Sequence, residues 1–115
     1  MVVKKDIFIN LTDKNFRKEV LGCNQPVLVK IGAEWLGTCD IMAPILEGLF
    51  ADYNGRIKFG SVNGDNSDKL VSDYGVSKLP TFIFFYNGIM VDQIIGAAPK
   101  DKFVNIISNL LRAIS

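Results

Sequence analysis

Two stretches of the chain carry apolar residues at the spacing of one helix face. The first stripe falls at positions i, i+3, i+4, i+7 and i+8, and its members are Met42, Ile45, Leu46, Leu49 and Phe50. Pro44 lies inside this stripe and removes a backbone donor, so we expect a kinked helix that ends at Asn54–Gly55. The second stripe comprises Phe103, Ile106, Ile107, Leu110, Leu111 and Ile114. Both stripes predict helices that pack one face against a core.

Short runs rich in β-branched and aromatic residues predict the strands. They cover residues 7–9, 27–31, 57–62, 81–86 and 89–91. The run that begins at Val27 is typical of a buried central strand, except that Lys30 interrupts it. Asn87–Gly88 supplies the positive φ angles of a two-residue hairpin turn between the last two strands.

Two shorter segments are predicted to be helical. One begins at Thr12 or Asp13, either of which can cap it, and the other runs from Asp68 to Tyr74 and is closed by Gly75. The element order is therefore β-α-β-α-β-α-β-β-α. Because crossovers make parallel neighbours and a hairpin makes an antiparallel pair, we predict an α/β fold with a mixed central sheet. We expect helices on both faces and a single domain over residues 1–115.

Composition and charge exclude several classes of function. Thirteen Lys and Arg residues against twelve Asp and Glu leave a net charge of +1, which removes the electrostatic case for nucleic acid or an anionic membrane. The chain has no histidine, so Ser-His-Asp and Cys-His catalysis and histidine metal sites are excluded. Its two cysteines are too few for a disulfide scaffold or a structural zinc site. We expect no metal and no cofactor.

The start of the chain points to a location inside the cell. The charged residues Lys4, Lys5 and Asp6 occupy the place where a signal peptide has its apolar core. No apolar run approaches the ~18 residues of a membrane span. We therefore expect a cytoplasmic protein whose cysteines stay reduced unless they carry transient chemistry.

Residues 33–40 join the central strand to the kinked helix, where ligands of open α/β folds bind. The segment from Val27 to Pro44 resembles the active-site segment of the thioredoxin family, which runs strand, Ala-Glu-Trp, Cys-Gly-Pro-Cys and a proline-kinked helix. Leu79-Pro80-Thr81 is similar to the family's cis-proline loop, and Asn87–Gly88 and Gly96 match its hairpin and the glycine beyond it. The resemblance covers nearly the whole chain. It implies the thioredoxin-like fold and a relation to thiol–disulfide redox homeostasis.

The chain departs from the family pattern at the positions that carry the family's thiol chemistry. The attacking cysteine falls on Leu36, so that Cys-x-x-Cys has become Leu-Gly-Thr-Cys, with Thr38 in place of the proline. The family's buried carboxylate, which helps to move protons to and from the second cysteine, falls on Lys30, and the lysine paired with it falls on Ser61. Dithiol reduction needs one thiolate that attacks and a second thiol that resolves the mixed disulfide. With Cys39 alone, we expect no self-contained turnover.

Cys39 is the candidate catalytic residue, and two interpretations of it stay open. In the first turn of a helix, free N–H groups and the helix dipole favour the thiolate, and Lys30 could add positive charge as a modulating residue. Alternatively, Cys39 points inward and is a small inert hydrophobe. Cys23 precedes the central strand, and about six residues at ~3.3 Å each separate the two cysteines by roughly 15–20 Å. A disulfide allows about 7 Å between Cα atoms, so Cys23 should not resolve Cys39.

Lys30 also has two possible arrangements. An ammonium inside a sheet must find a partner or give up its charge. Alternatively, the aliphatic stem packs inside and the head reaches solvent. In both cases, the carboxylate that would accept the Cys39 proton is missing from this position.

The cis-proline loop of the family faces the active-site turn and pairs its main chain with an extended peptide. The partner-binding residues that the resemblance implies are Trp35, Leu36, Gly37, Thr38, Leu79, Pro80 and Gly96. Leu36 would enlarge an apolar patch there, whereas the alternative is that Trp35 simply covers the helix end. We expect binding of extended or cysteine-bearing protein partners, with at most monothiol exchange through a mixed disulfide at Cys39. An oxidoreductase with an external resolving thiol and a non-redox interaction subunit are the alternatives.

Overall fold

One five-stranded mixed sheet organises the chain. The computed structural model describes residues 8–33 and 37–114, and of residues 37–40 it describes only the backbone. The strands are β1 (Ile9–Leu11), β2 (Val27–Gly32), β3 (Lys58–Asn63), β4 (Thr81–Tyr86) and β5 (Ile89–Ile95). Their order in the sheet is β1-β3-β2-β4-β5. β1, β3 and β2 are parallel, whereas β4 is antiparallel to both β2 and β5. The predicted α/β class and mixed sheet are confirmed.

Helices connect the strands and cover both faces of the sheet. They are α1 (Gly37–Tyr53), α2 (Asp68–Asp73) and α3 (Lys100–Ile114), with a π-helical turn at Arg17–Leu21 and a 3-10 turn at Gly64–Asn66. α1 ends one residue before Asn54, and Gly55 follows at a φ of +93°, as the sequence predicts. Pro44 lies inside α1, where the kink stays a prediction. Asn87 and Gly88 both have positive φ, 53° and 78°, as a type I′ hairpin turn requires.

The beginning of the chain differs from expectation. β1 starts at Ile9 rather than at Ile7, which lies outside the described residues. The following helix is a π-helical turn, and no side chain caps it. The capping bonds lie one turn earlier. The Thr12 hydroxyl accepts a 3.2 Å hydrogen bond from the Lys14 N–H, and the Thr12 carbonyl oxygen accepts one of 3.0 Å from the Phe16 N–H. Of the two predicted residues, Thr12 therefore caps the turn that leads into the π-helical segment.

The core has two layers, one on each face of the sheet. Alternation along β2 sends Leu28 to the layer beneath α1 and α3, and Val29 to the layer beneath the π-helical turn and α2. The first layer includes Met42, Leu46, Leu49, Phe82, Phe84, Phe103 and Ile107. The second includes Phe16, Val20, Ile31, Leu70, Ile83 and Phe85. Both faces of β2 and β4 are thus buried, which explains their nearly continuous apolar sequences.

Candidate functional site

The loop before β4 meets the carboxyl ends of β2 and β3. A Cβ built on Gly64, the residue after β3, would lie 3.3 Å from Leu79 Cδ1 and 3.5 Å from the carbonyl oxygen of Gly32, the last residue of β2. The Leu79 side chain therefore packs where both strands end. Because α1 begins at Gly37 and follows β2, its N-terminus lies at this same edge of the sheet. The topology places the start of α1 and the Leu79–Pro80 loop at one edge of the sheet.

The loop is held in one conformation by backbone and buried side-chain contacts. The peptide bond between Leu79 and Pro80 is cis, the isomer that the resemblance implies. Pro80 is buried, and its carbonyl oxygen accepts a 2.8 Å hydrogen bond from the Gly96 N–H. Thr81 is buried, with 2% of its surface exposed, and its hydroxyl donates a 2.6 Å hydrogen bond to the Lys78 carbonyl oxygen. These contacts fix the chain on both sides of Leu79.

Among the described residues, the main chain of Leu79 has no hydrogen-bond partner. Within the part of the chain that the structure describes, no hydrogen bond engages the Leu79 N–H or its carbonyl oxygen. Leu79 is half-buried, so its side chain anchors the loop while its peptide groups stay available. An ordered segment with free peptide groups can pair with an extended peptide by strand addition.

A lysine side chain covers the glycine on the far side of the loop. A Cβ built on Gly96 would lie 3.5 Å from Lys78 Nζ and 3.6 Å from Lys78 Cε. Gly96 is buried, whereas Lys78 is exposed. The sequence-based expectation of an apolar patch that includes Gly96 overlooked this cation. No local pattern relates residues 78 and 96, which are brought together by the β4–β5 hairpin.

The predicted residues at the start of α1 are placed only in part. Gly37, Thr38 and Cys39 are the first three residues of α1, which puts the Cys39 backbone in the first helical turn. Their side chains, together with Trp35 and Leu36, lie outside the described residues. The reactivity of Cys39 and the roles assigned to these residues stay predictions.

Lys30 occupies β2 on the face that α1 and α3 cover. It is half-buried, and its ammonium nitrogen lies 5.6 Å from the centroid of the Phe8 ring. A cation over an aromatic face is attracted by the ring quadrupole, so Phe8 provides the partner that a partly buried ammonium needs. Lys30 lies beside Ser61 in the parallel register of β2 and β3. The two positions where the family carries an acid and a lysine are thus neighbours.

Sequence reasoning did not identify Phe8 as the partner of Lys30. Phe8 is 6% exposed and packs against Phe59 with ring centroids 5.2 Å apart. Its approach to Lys30 follows from the sheet order, in which β1 and β2 flank β3. In the sequence, Phe8 is recognisable only as an apolar residue of the first predicted strand. Many residues of this chain share that property, so it does not identify the partner of Lys30.

Cys23 is remote from this edge of the sheet. It carries a free thiol, is half-buried, and packs against the layer beneath the π-helical turn and α2. It precedes β2, whereas α1 follows β2, so the two cysteines belong to opposite ends of that strand. Among the described residues, no group of three or more His, Cys, Asp or Glu side chains is arranged to hold a metal ion. None of the helices described is both long and apolar enough to cross a membrane.

Comparison with known proteins agrees with this geometry. The sequence model of the thioredoxin family matches residues 7–109. The chain belongs to the thioredoxin family. The match supports a function in thiol redox chemistry and, as for the family generally, protein partners.

Several relatives show how far the similarity extends. Thioredoxin 1 of Nostoc sp. is 40% identical over 90 residues, which are 78% of this chain and 84% of that protein. Thioredoxin 1 of Synechococcus elongatus is 36% identical over 101 residues, 88% of this chain and 94% of that protein. The chloroplastic thioredoxin M5 of Oryza sativa subsp. japonica is 40% identical over 95 residues, 83% of this chain and 55% of that longer protein.

Proposed function

We propose that this chain is a single thioredoxin-like domain that binds extended or cysteine-bearing protein segments and lacks self-contained dithiol turnover. The observation that carries the proposal is the Leu79–Pro80 loop, whose free peptide groups lie at the sheet edge where α1 begins. Binding there uses main-chain hydrogen bonds, which depend on the shape of the loop rather than on the lost cysteine. Trp35, Leu36, Gly37 and Thr38 would line the opposite side of the site.

Cys39 limits the chemistry to one half of an exchange cycle. Its thiolate would attack a disulfide of the partner, forming a sulfur–sulfur bond to one partner cysteine and releasing the other as a thiolate. The next step needs a second thiol, and the only other cysteine, Cys23, lies at the far end of β2. An external thiol must therefore release the partner. We propose at most monothiol exchange through Cys39.

Lys30 has a modulating role in this proposal. Its ammonium lies on the α1 face of β2, where the family has a carboxylate that helps to move protons. A charged ammonium cannot accept the proton of a thiol, so deprotonation of Cys39 would depend on solvent and on the positive end of α1. A cytoplasmic location stays a prediction, since the chloroplastic protein from Oryza sativa is among the relatives.

A turnover assay and a labelling assay test the proposal. Insulin reduction with dithiothreitol is expected far below the rate of a dithiol enzyme, because dithiothreitol rather than a neighbouring thiol of the protein must release each mixed disulfide. Turnover near that of a dithiol enzyme would overturn the proposal in favour of an external resolving thiol. Iodoacetamide labelling against pH, in Cys23→Ser with Cys39→Ser as the matched control, reports on Cys39. Labelling only after unfolding would remove monothiol exchange and leave binding without redox chemistry.

A further inference from the structure

Lys78 places a positive charge at the edge of the Leu79–Pro80 loop, which we call the docking loop. Its carbonyl oxygen is held by the buried Thr81 hydroxyl at 2.6 Å, which fixes the backbone from which the side chain extends. The side chain then lies across Gly96, with Nζ 3.5 Å from the position of a Cβ on that glycine. Because Gly96 has no side chain, the ammonium lies close to the backbone beside Pro80, whose carbonyl oxygen the Gly96 N–H contacts. The charge therefore borders the site where a peptide would pair with Leu79.

Within residues 8–33 and 41–114, no acidic side chain forms an ion pair with Lys78. Lys78 is the only charged residue between Asp73 and Asp92, and residues 93–99, which contain Gly96, carry no charge. The ion pairs found among the described residues are Lys58–Glu19, Lys69–Asp73 and Lys100–Asp52. Lys78 takes part in none of them. Lys78 is exposed, so its ammonium is open to solvent.

A docked segment would change the surroundings of the ammonium. A peptide that pairs with Leu79 and covers Gly96 displaces water from Lys78 Nζ, and a charge that loses water without gaining a partner is destabilised. A neutral segment imposes that penalty, a basic segment adds repulsion, and an acidic segment replaces the lost water with an ion pair. Discrimination of this kind works as much by rejecting the wrong partner as by attracting the right one.

We propose that Lys78 makes the docking loop selective for protein segments that carry an aspartate or glutamate beside the docked residues. This inference rests on the proposed function, because it assigns a partner class to the same loop. It adds a specificity-determining residue that the family resemblance does not supply. The partner is thus an extended acidic segment.

Three matched peptides test the selectivity. They share one extended sequence with serine in place of cysteine, so that binding is not covalent, and differ only in Glu, Gln or Lys on both sides of the central residue. Titration of the isotope-labelled protein followed by NMR gives their dissociation constants even when binding is weak. At low salt, the Glu peptide is expected to bind about fivefold more tightly than the Gln peptide, and the Lys peptide most weakly. The differences should shrink as salt is added.

Charge variants assign the preference to one residue. Lys78→Gln should remove the preference for the Glu peptide, and Lys78→Glu should reverse it. Lys102→Glu makes the same change of net charge at an exposed position in α3 and should leave the preference unchanged. Equal binding of the three peptides, or an unaltered preference in Lys78→Glu, would overturn the inference while leaving the proposed function intact. Binding of none of the peptides would overturn both.

Discussion

The two halves of the candidate site differ in which family features they carry: one has the features for main-chain binding, and the other lacks residues for thiol exchange. The docking half, residues 78–81 with Gly96, retains an ordered loop, free peptide groups and a hydrogen bond to Pro80. The chemical half, residues 36–39 with Lys30 and Ser61, carries a leucine, a lysine and a serine at the positions where the resemblance implies a cysteine, a carboxylate and a lysine. Recognition through the main chain needs only a backbone shape, which many sequences can hold. Exchange chemistry needs particular atoms, so single substitutions remove it.

The sheet tolerates the altered chemical half because each replacement finds a suitable environment. Lys30 enters the face beneath α1 and α3, yet its ammonium lies over the Phe8 ring. Ser61 sits beside it and needs no charged partner. The fold therefore accommodates Lys30 and Ser61 at the positions where the resemblance implies an acid–lysine pair.

Restoring the missing sulfur should give the largest effect on this comparison. Leu36→Cys places a second thiol three positions before Cys39, which is the spacing that dithiol exchange uses. Insulin reduction followed by turbidity is expected to rise at least about tenfold above the wild-type rate. Leu36→Ser, which is small and polar but has no thiol, is the matched control and should stay at the wild-type rate. An inactive Leu36→Cys would show that the chemical half lacks more than a sulfur.

Restoring the acid should add a smaller effect. In the Leu36→Cys background, Lys30→Asp returns a proton acceptor to the face of β2 beneath α1. A well-placed general acid–base raises a rate by about 10²-fold or more. From an unoptimised site we expect the rate of insulin reduction to rise several-fold. The gain should follow the ionisation of the new carboxylate in a pH profile of the rate. Lys30→Met in the same background removes the ammonium without adding a base, and an equal gain in that variant would contradict the role of the acid.

The scaffold of the docking half should respond to loss of one hydrogen bond. Thr81→Val keeps the shape of the side chain but removes the donor that holds the Lys78 carbonyl at 2.6 Å. The free energy of unfolding in urea is expected to fall by about 1 kcal/mol. Ser77→Ala, at an exposed position in the same loop, is the control and should change it by less than about 0.5 kcal/mol. A smaller loss in Thr81→Val than in this control would mean that the bond does not hold the loop.

The smallest expected effect is a change of stability at alkaline pH. Tyr74, just after α2, packs against Phe16 and Phe85, with ring centroids 5.7 Å and 5.3 Å away. Burial, followed by the charge of Asp73, raises the pKa of Tyr74 above its ordinary value of 10.0, and Lys69 opposes that rise. Below about pH 10, the Tyr74 phenol is protonated in both the folded and the unfolded protein. Above about pH 10, the unfolded protein loses this proton first, so the free energy of unfolding falls.

Urea unfolding on either side of that pH measures this contribution. The free energy of unfolding of the wild type should fall more steeply above pH ~10 than that of Tyr74→Phe, which has no proton to lose. Parallel curves for the two proteins would show that the packing against Phe16 and Phe85 does not perturb the phenol.

Local sequence determined most of the elements and half of the site. The apolar stripes of α1 and α3 and the Asn87–Gly88 turn are properties of neighbouring residues, and they predicted their elements closely. The lone Cys39 and the Leu36 substitution are visible in the chain itself. The predicted cap at Thr12 occurs one turn earlier than the π-helical segment, because its hydroxyl accepts a hydrogen bond in the turn that leads into that segment.

The tertiary structure decided which distant residues meet. Local sequence predicts the class of fold, the absence of a thiol at residue 36 and the Leu79–Pro80 loop, since each depends on local periodicity or on residue identity. It predicts neither the Phe8 ring near the Lys30 ammonium nor the Lys78 side chain over Gly96. Both contacts join segments that are far apart in the chain and become neighbours only when the sheet and its hairpin close. The charge environment of the site therefore depends on tertiary contacts: the order of β1, β3 and β2 brings Phe8 to Lys30, and the pairing of β4 with β5 brings Lys78 to Gly96.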